Sequence, residues 1–108
     1  MRTIAHWVDG KYYEGNPIGR FAVENPGTGE VEAELLQASD ADLDHAVEVA
    51  RRAQKEWAKV SLAKRTAIMF RMRQLVLDHQ DEMAKMIVAE HGKNYSDAIG
   101  EIQRGRET

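Results

Sequence analysis

The residues of this 108-residue chain that can do chemistry are few and scattered. There is no cysteine, so a thiolate nucleophile, a thiolate metal site and a disulfide are all excluded within it. His6, His45, His79 and His91 share no HExxH or paired-ligand spacing and read as structural or solvated. No GxGxxG or P-loop pattern is present to cradle a phosphate, and the glycines of GTG at 27–29 are those a hairpin turn uses. Carboxylates are plentiful, but no spacing gathers two of them into one cleft as a glycosidase needs. Two stretches stand out. EHGK (90–93) reads as a helix C-terminus: Gly92 is the stop, and His91 and Lys93 complement the negative end of the helix dipole. GEIQRG (100–105) sets Arg104 between two glycines, where residue type alone makes it a solvated charge. These residues do not write a complete active site.

The elements that must position these groups run β first and α after. Ile4 to Val8 and Lys11 to Tyr13 flank Asp9-Gly10, which suits the two positive-φ positions of a type I′ turn and sets Trp7 opposite Tyr12. Phe21 to Glu24 and the segment from Glu30 flank the dense turn signal NPGTG (25–29), giving a second hairpin. Within it, Val31, Ala33 and Leu35 alternate with Glu30, Glu32 and Glu34, the pattern of a half-buried strand with one acidic, wet face. Ser39 is an N-cap with Asp42 at N3, and Leu43, Ala46, Val47, Ala50, Ala53 and Trp57 follow at helical spacing. Ser61 caps a second helix that is apolar on two sides: Ile68, Met69, Met72, Leu75 and Val76 on one, Ala63, Ala67, Phe70 and Leu77 on the other. Such a helix needs two neighbours. Asp78 restarts the helix, with Met83, Met86, Ile87 and Val88 as its apolar set, and Gly92 ends it. Asn94 or Ser96 caps a last helix that is still running at Thr108. The fold class expected is α+β: β-hairpins over 1–37, then three or four helices over 39–108. Those helices carry more apolar surface than so small a sheet can cover.

Composition limits the function classes. The chain is 43% hydrophobic and 31% charged, as an ordered domain is. No run approaches the ~18 apolar residues of a membrane span, and the first residues have neither a signal-peptide core nor a transit-peptide bias. A cytoplasmic protein is the expectation. Residues 51–73 carry eight basic side chains against Glu56 alone, whereas residues 1–50 carry three basic and ten acidic ones. The net charge of −3 and the packing positions of Trp57 and Phe70 make the basic run a solvated helix face rather than a nucleic-acid site.

Taken in order, VDGKYYEG, ENPGTGEV, SDADLDHAVEVARRAQKEWAKVS and EHGK resemble the N-terminal end of the aldehyde dehydrogenase superfamily, over essentially all 108 residues. SLAKRTAIMFRMRQLVLDHQDEMAKMIVAEHGK and GEIQRG make the likeness strongest to the CoA-acylating methylmalonate-semialdehyde dehydrogenase branch. The chain departs from that pattern at Leu62, where relatives often have proline, and at Arg106-Glu107, where they are more apolar. The resemblance implies that residues 1–108 are a partial piece of the NAD-binding domain of an α/β enzyme roughly four times longer. It also implies that the cysteine nucleophile, the general base and nearly all NAD contacts lie elsewhere, so this piece has no catalytic residue and is inactive alone. NAD and coenzyme A would serve the full-length enzyme, with neither bound to this piece. The mechanism implied for the full enzyme is covalent: a thiolate attacks the aldehyde, hydride passes to NAD, carbon dioxide is lost from the carboxylated acyl group, and what remains is transferred to coenzyme A as propionyl-CoA from methylmalonate semialdehyde or acetyl-CoA from malonate semialdehyde. The partners implied are the remainder of the chain and a homo-oligomer, dimer or tetramer, with no nucleic acid and no membrane.

The resemblance gives two residue roles. Arg104 falls on the arginine implicated, with a second one from later in the chain, in holding the substrate carboxylate. A guanidinium provides a planar two-pronged fork that lysine cannot reproduce. Glu90, with the backbone at Glu24 before the NP turn, falls where many relatives bind a monovalent cation. The competing readings are a stand-alone helical interaction module and the N-terminal piece of another aldehyde dehydrogenase branch.

Overall fold

The computed structural model describes residues 1–108. The chain divides into two compact units: residues 1–24 with 31–60, and residues 25–30 with 61–108.

In the first unit, β1 (Arg2–Ile4), β4 (Gly19–Glu24) and β5 (Val31–Gln37) form a three-stranded sheet in the order β1-β5-β4, and β2 (His6–Val8) pairs with β3 (Lys11–Tyr13) in a separate ribbon. The ribbon follows the expected turn. Asp9 and Gly10 take φ of 57° and 70°, and Trp7 stands opposite Tyr12. The β4–β5 hairpin also forms, with Phe21 opposite Leu35 and an irregularity at Val23/Glu24. Two expectations are corrected. The strand expected over Ile4 to Val8 is two strands in two sheets. β1 pairs in parallel with β5, Arg2 beside Ala33 and Ile4 beside Leu35, and that partner lies some thirty residues away, outside any local pattern. Nor does β5 bury one alternating face. Ala33 and Leu36 are the buried residues, whereas Val31 and Leu35 stay exposed. As the central strand, β5 is paired on both edges, and Ala33 and Leu36 point to opposite faces of the pleat.

Helix α1 (Asp40–Trp57) starts in a complete capping box, the Ser39 side chain accepting from Asp42 N–H and the Asp42 side chain accepting from Ser39 N–H. Asp42 does more than cap. It is 3% exposed. Its Oδ1 accepts from the Tyr13 phenol at 3.1 Å and from Asn16 N–H at 3.1 Å, and its Oδ2 accepts from Ser39 N–H at 3.0 Å. The chain after β3 is thereby pinned to the first turn of α1. The Ser39 amide is the main reason the Asp42 carboxyl is lowered to about 2; the Asn16 amide, the Ser39 hydroxyl and the Tyr13 phenol act in the same direction, and burial opposes them. A free aspartate titrates near ~3.9. Because the folded value is the lower one, the carboxylate contributes stability that is complete above about pH 4 and is lost as pH falls toward 2. Urea midpoints measured from pH 5 to pH 2 are expected to fall across that window, and Asp42→Asn is expected to flatten the fall.

The second unit holds α2 (Leu62–Asp78), α3 (Gln80–His91) and α4 (Tyr95–Glu107). Ser61 caps α2 and Asn94 caps α4, each through its side-chain oxygen. Gly92 ends α3 at φ 84°, the left-handed C-cap expected of it. A Cβ there would also stand 2.9 Å from Pro26 Cγ, so the NPGTG turn packs on this helix end. Asp78 does not restart the helix. It closes α2 and accepts from Gln74 at 2.8 Å, and the break falls at His79, which opens α3 without a side-chain cap. Ala84, Ala98 and Ile102 form the buried cluster, with Val76, Ile87, Val88 and Ile99 packed against it.

Burial stops there. No residue of α2 is fully buried: Val76 packs partly against the cluster, but most of both apolar stripes is open, Phe70 at 67% exposure. The stripe expected to bury α1 is open as well: Leu43, Val47 and Trp57 are exposed, and Val49 is the buried apolar residue. Exposed apolar surface of this extent along one helix marks an interaction face. The isolated 108-residue chain is expected to self-associate and to bind a hydrophobic dye. A compact monomer by sizing chromatography that leaves the dye dark would contradict this.

Candidate functional site

The two stretches singled out in the sequence meet in the second unit. α3 ends at His91, Gly92 reverses the chain, Asn94 caps α4, and α4 brings Glu101 and Arg104 around on its second and third turns. Across this corner Lys93 Nζ donates to Glu101 Oε1 in an ion pair. The Lys93 side chain is 19% exposed and that of Glu101 47%. The Glu101 carboxyl is lowered first by the hydrogen bond from Lys93, then by the charges of Lys93, His91 and Arg104, with burial opposing. The charges of Lys93, His91 and Arg104 thus all act on Glu101, which brings EHGK and GEIQRG into one electrostatic neighbourhood. The expected role of Lys93 at the helix dipole is joined by this ion pair.

Arg104 sits in the last turn of α4 and is exposed. Its backbone carbonyl accepts from the Thr108 hydroxyl at 2.9 Å, and its guanidinium makes no ion pair. A Cβ added at Gly100 or Gly105 would meet nothing within 4 Å, so both flanks of the arginine are open to an incoming group. The neighbouring arginine is placed differently. Arg106 is half-buried, its Nε has no hydrogen-bond partner, and with Phe70, Met72, Arg73 and Val76 it lines a cleft of about 330 Å³. Arg104 does not line that cleft.

Glu24 ends β4 in the first unit, and Glu90 lies in the last turn of α3 in the second. The chain gathers no set of three or more His, Cys, Asp or Glu side chains able to hold a metal ion. No helix is long and apolar enough to cross a membrane. Sequence reasoning missed the Lys93–Glu101 pair and the Asp42 acceptor. The available signal for the first was a basic residue just before a helix N-cap with an acid on the second turn. For the second it was an acid at N3 following a Tyr-Tyr strand and a glycine.

The aldehyde dehydrogenase family model matches residues 12–108. The chain belongs to the aldehyde dehydrogenase family. Malonate-semialdehyde dehydrogenase 2 of Oceanobacillus iheyensis is 40% identical over 107 residues, which is 99% of this chain and 22% of that protein. Among solved structures, a Sinorhizobium meliloti protein assigned as a methylmalonate-semialdehyde dehydrogenase and complexed with NAD superposes with a TM-score of 0.95 at 41% identity, over 99% of this chain and 22% of its own. The NAD-dependent benzaldehyde dehydrogenase of Corynebacterium glutamicum superposes with a TM-score of 0.90 at 37% identity, over 95% and 22%. The chain therefore spans about a fifth of the length of the relatives it matches. The mixed α+β arrangement is that of an N-terminal piece of the aldehyde dehydrogenase fold.

Proposed function

We propose that this chain is the N-terminal part of the NAD-binding domain of an NAD-dependent, CoA-acylating malonate- or methylmalonate-semialdehyde dehydrogenase, and that Arg104 holds the substrate's carboxylate there. The observation that carries the reading is the state of Arg104: an exposed guanidinium without an ion pair, with open space beside both neighbouring glycines. A planar fork kept free of internal partners is suited to a carboxylate from outside. The likeness to malonate- and methylmalonate-semialdehyde dehydrogenases over 99% of the chain supports the substrate class.

The same proposal assigns NAD, coenzyme A, the cysteine nucleophile and the oligomer contacts to the rest of the enzyme and expects this piece to be inactive alone. The cation role of Glu90 with the backbone at Glu24 belongs to the same proposal.

The piece of another branch is the second reading, favoured by the likeness to the benzaldehyde enzyme, whose substrate has no carboxylate. Replacing Arg104 in the full-length enzyme and comparing carboxylated with uncharged aldehydes decides between them. Selective loss of the carboxylated substrate supports the first, and equal losses support the second.

A further inference from the structure

Glu101 is a competitor for the fork of Arg104. It precedes Arg104 by three residues on α4, a spacing that makes the two side chains neighbours on one helix face, with the acid on the N-terminal side. Arg104 is close enough for its charge to lower the Glu101 carboxyl. Yet Arg104 makes no ion pair, and Glu101 is held by Lys93. We propose that Lys93 is a positioning residue: by occupying the Glu101 carboxylate it keeps the Arg104 guanidinium unpaired and available to a substrate carboxylate. This rests on the role of Arg104 proposed above and deepens it.

The local structure suits Lys93 to this task. Its position follows from Gly92, whose left-handed φ turns the chain back toward α4 at a point where Pro26 leaves no room for a Cβ. The Lys93 side chain is mostly covered, so its attraction for Glu101 is screened less by water and salt than an exposed pair on the α4 surface would be. His91 also faces Glu101 electrostatically, but no hydrogen bond joins them, so it does not replace the lysine. Remove Lys93, and the cation at neighbouring spacing to Glu101 on its own helix is Arg104. A helix-surface pair at this spacing forms more often than not. That leaves the free fork in the minority, and apparent affinity falls in proportion to the free fraction.

The test uses the full-length dehydrogenase carrying this segment, with malonate semialdehyde and propanal as paired substrates. The readout is the ratio of their KM values. Lys93→Met is expected to raise the ratio about threefold. Adding Glu101→Gln to that variant is expected to return it to the original value, because the amide has no charge with which to capture Arg104. Lys93→Arg still occupies the carboxylate and is expected to keep the original ratio. An unchanged ratio in Lys93→Met, or one that stays raised in the double variant, overturns the proposal. Arg104→Ala run alongside separates the two ideas. If it leaves the ratio unchanged, the carboxylate role itself fails; if it raises the ratio while Lys93→Met does not, only the role of Lys93 fails.

Discussion

Arg104→Ala in the full-length enzyme is expected to lower kcat/KM for malonate semialdehyde about a hundredfold, and for propanal less than about threefold. The magnitude follows from what is lost. A carboxylate gripped by a guanidinium gains two charge-assisted hydrogen bonds, and losing such a grip costs roughly 3 kcal/mol, or about two decades in rate. Arg104→Lys is expected to recover only part of this, since an ammonium restores the charge without the planar fork. Steady-state kinetics with both aldehydes are the measurement. The effect is large because Arg104 has no internal ion pair to fall back on, and its flanking glycines leave the approach clear.

Gly15→Ala is expected to be the most damaging small substitution in the first unit. Gly15 takes a φ of 62°, where an L side chain is strained, and a Cβ there would stand 2.2 Å from Asp42 Oδ1. The new methyl group meets the carboxylate that Tyr13, Asn16 and Ser39 share, so relief must come from moving Asp42 away from its donors. Every one of those partners donates. The melting temperature is therefore expected to drop by more than about 10 °C by circular dichroism. Asp42→Asn is expected to act in the same direction, because an amide keeps one acceptor oxygen and turns an N–H group toward amides that are themselves donors. A Gly15→Ala variant melting within a degree or two of the parent would mean that Asp42 does not pin the chain to α1.

The parts of the fold that were readable in the sequence are those decided within a few residues. Asp9-Gly10, the Ser39 box, the Ser61 and Asn94 caps and the Gly92 stop each depend on one backbone conformation or one side-chain acceptor near at hand. What escaped is what a distant partner decides. The parallel pairing of β1 with β5 leaves no local trace, and strict alternation in β5 hid that this central strand buries Leu36 on its other face. The α2–α3 break is a different case. Asp78 looked like a cap by type, but its carboxylate serves Gln74 on the helix behind it. At the site, residue type marked Arg104 as a charge, and resemblance alone suggested what it touches. The Lys93–Glu101 pair needed the chain reversal at Gly92 before the two residues could be seen together.

That reversal has a consequence for dissecting the molecule. The second unit includes residues 25–30, a turn encoded in the middle of the first, and Pro26 of that turn packs at Gly92. No single cut in the polypeptide yields both units whole. A piece beginning at Ser61 retains all three helices but lacks the proline that backs the glycine corner, and with it the brace behind Lys93. The two stretches of primary sequence are far apart, yet they pack as one part: a substitution of Pro26 is expected to be felt at the Gly92 corner more than sixty residues downstream.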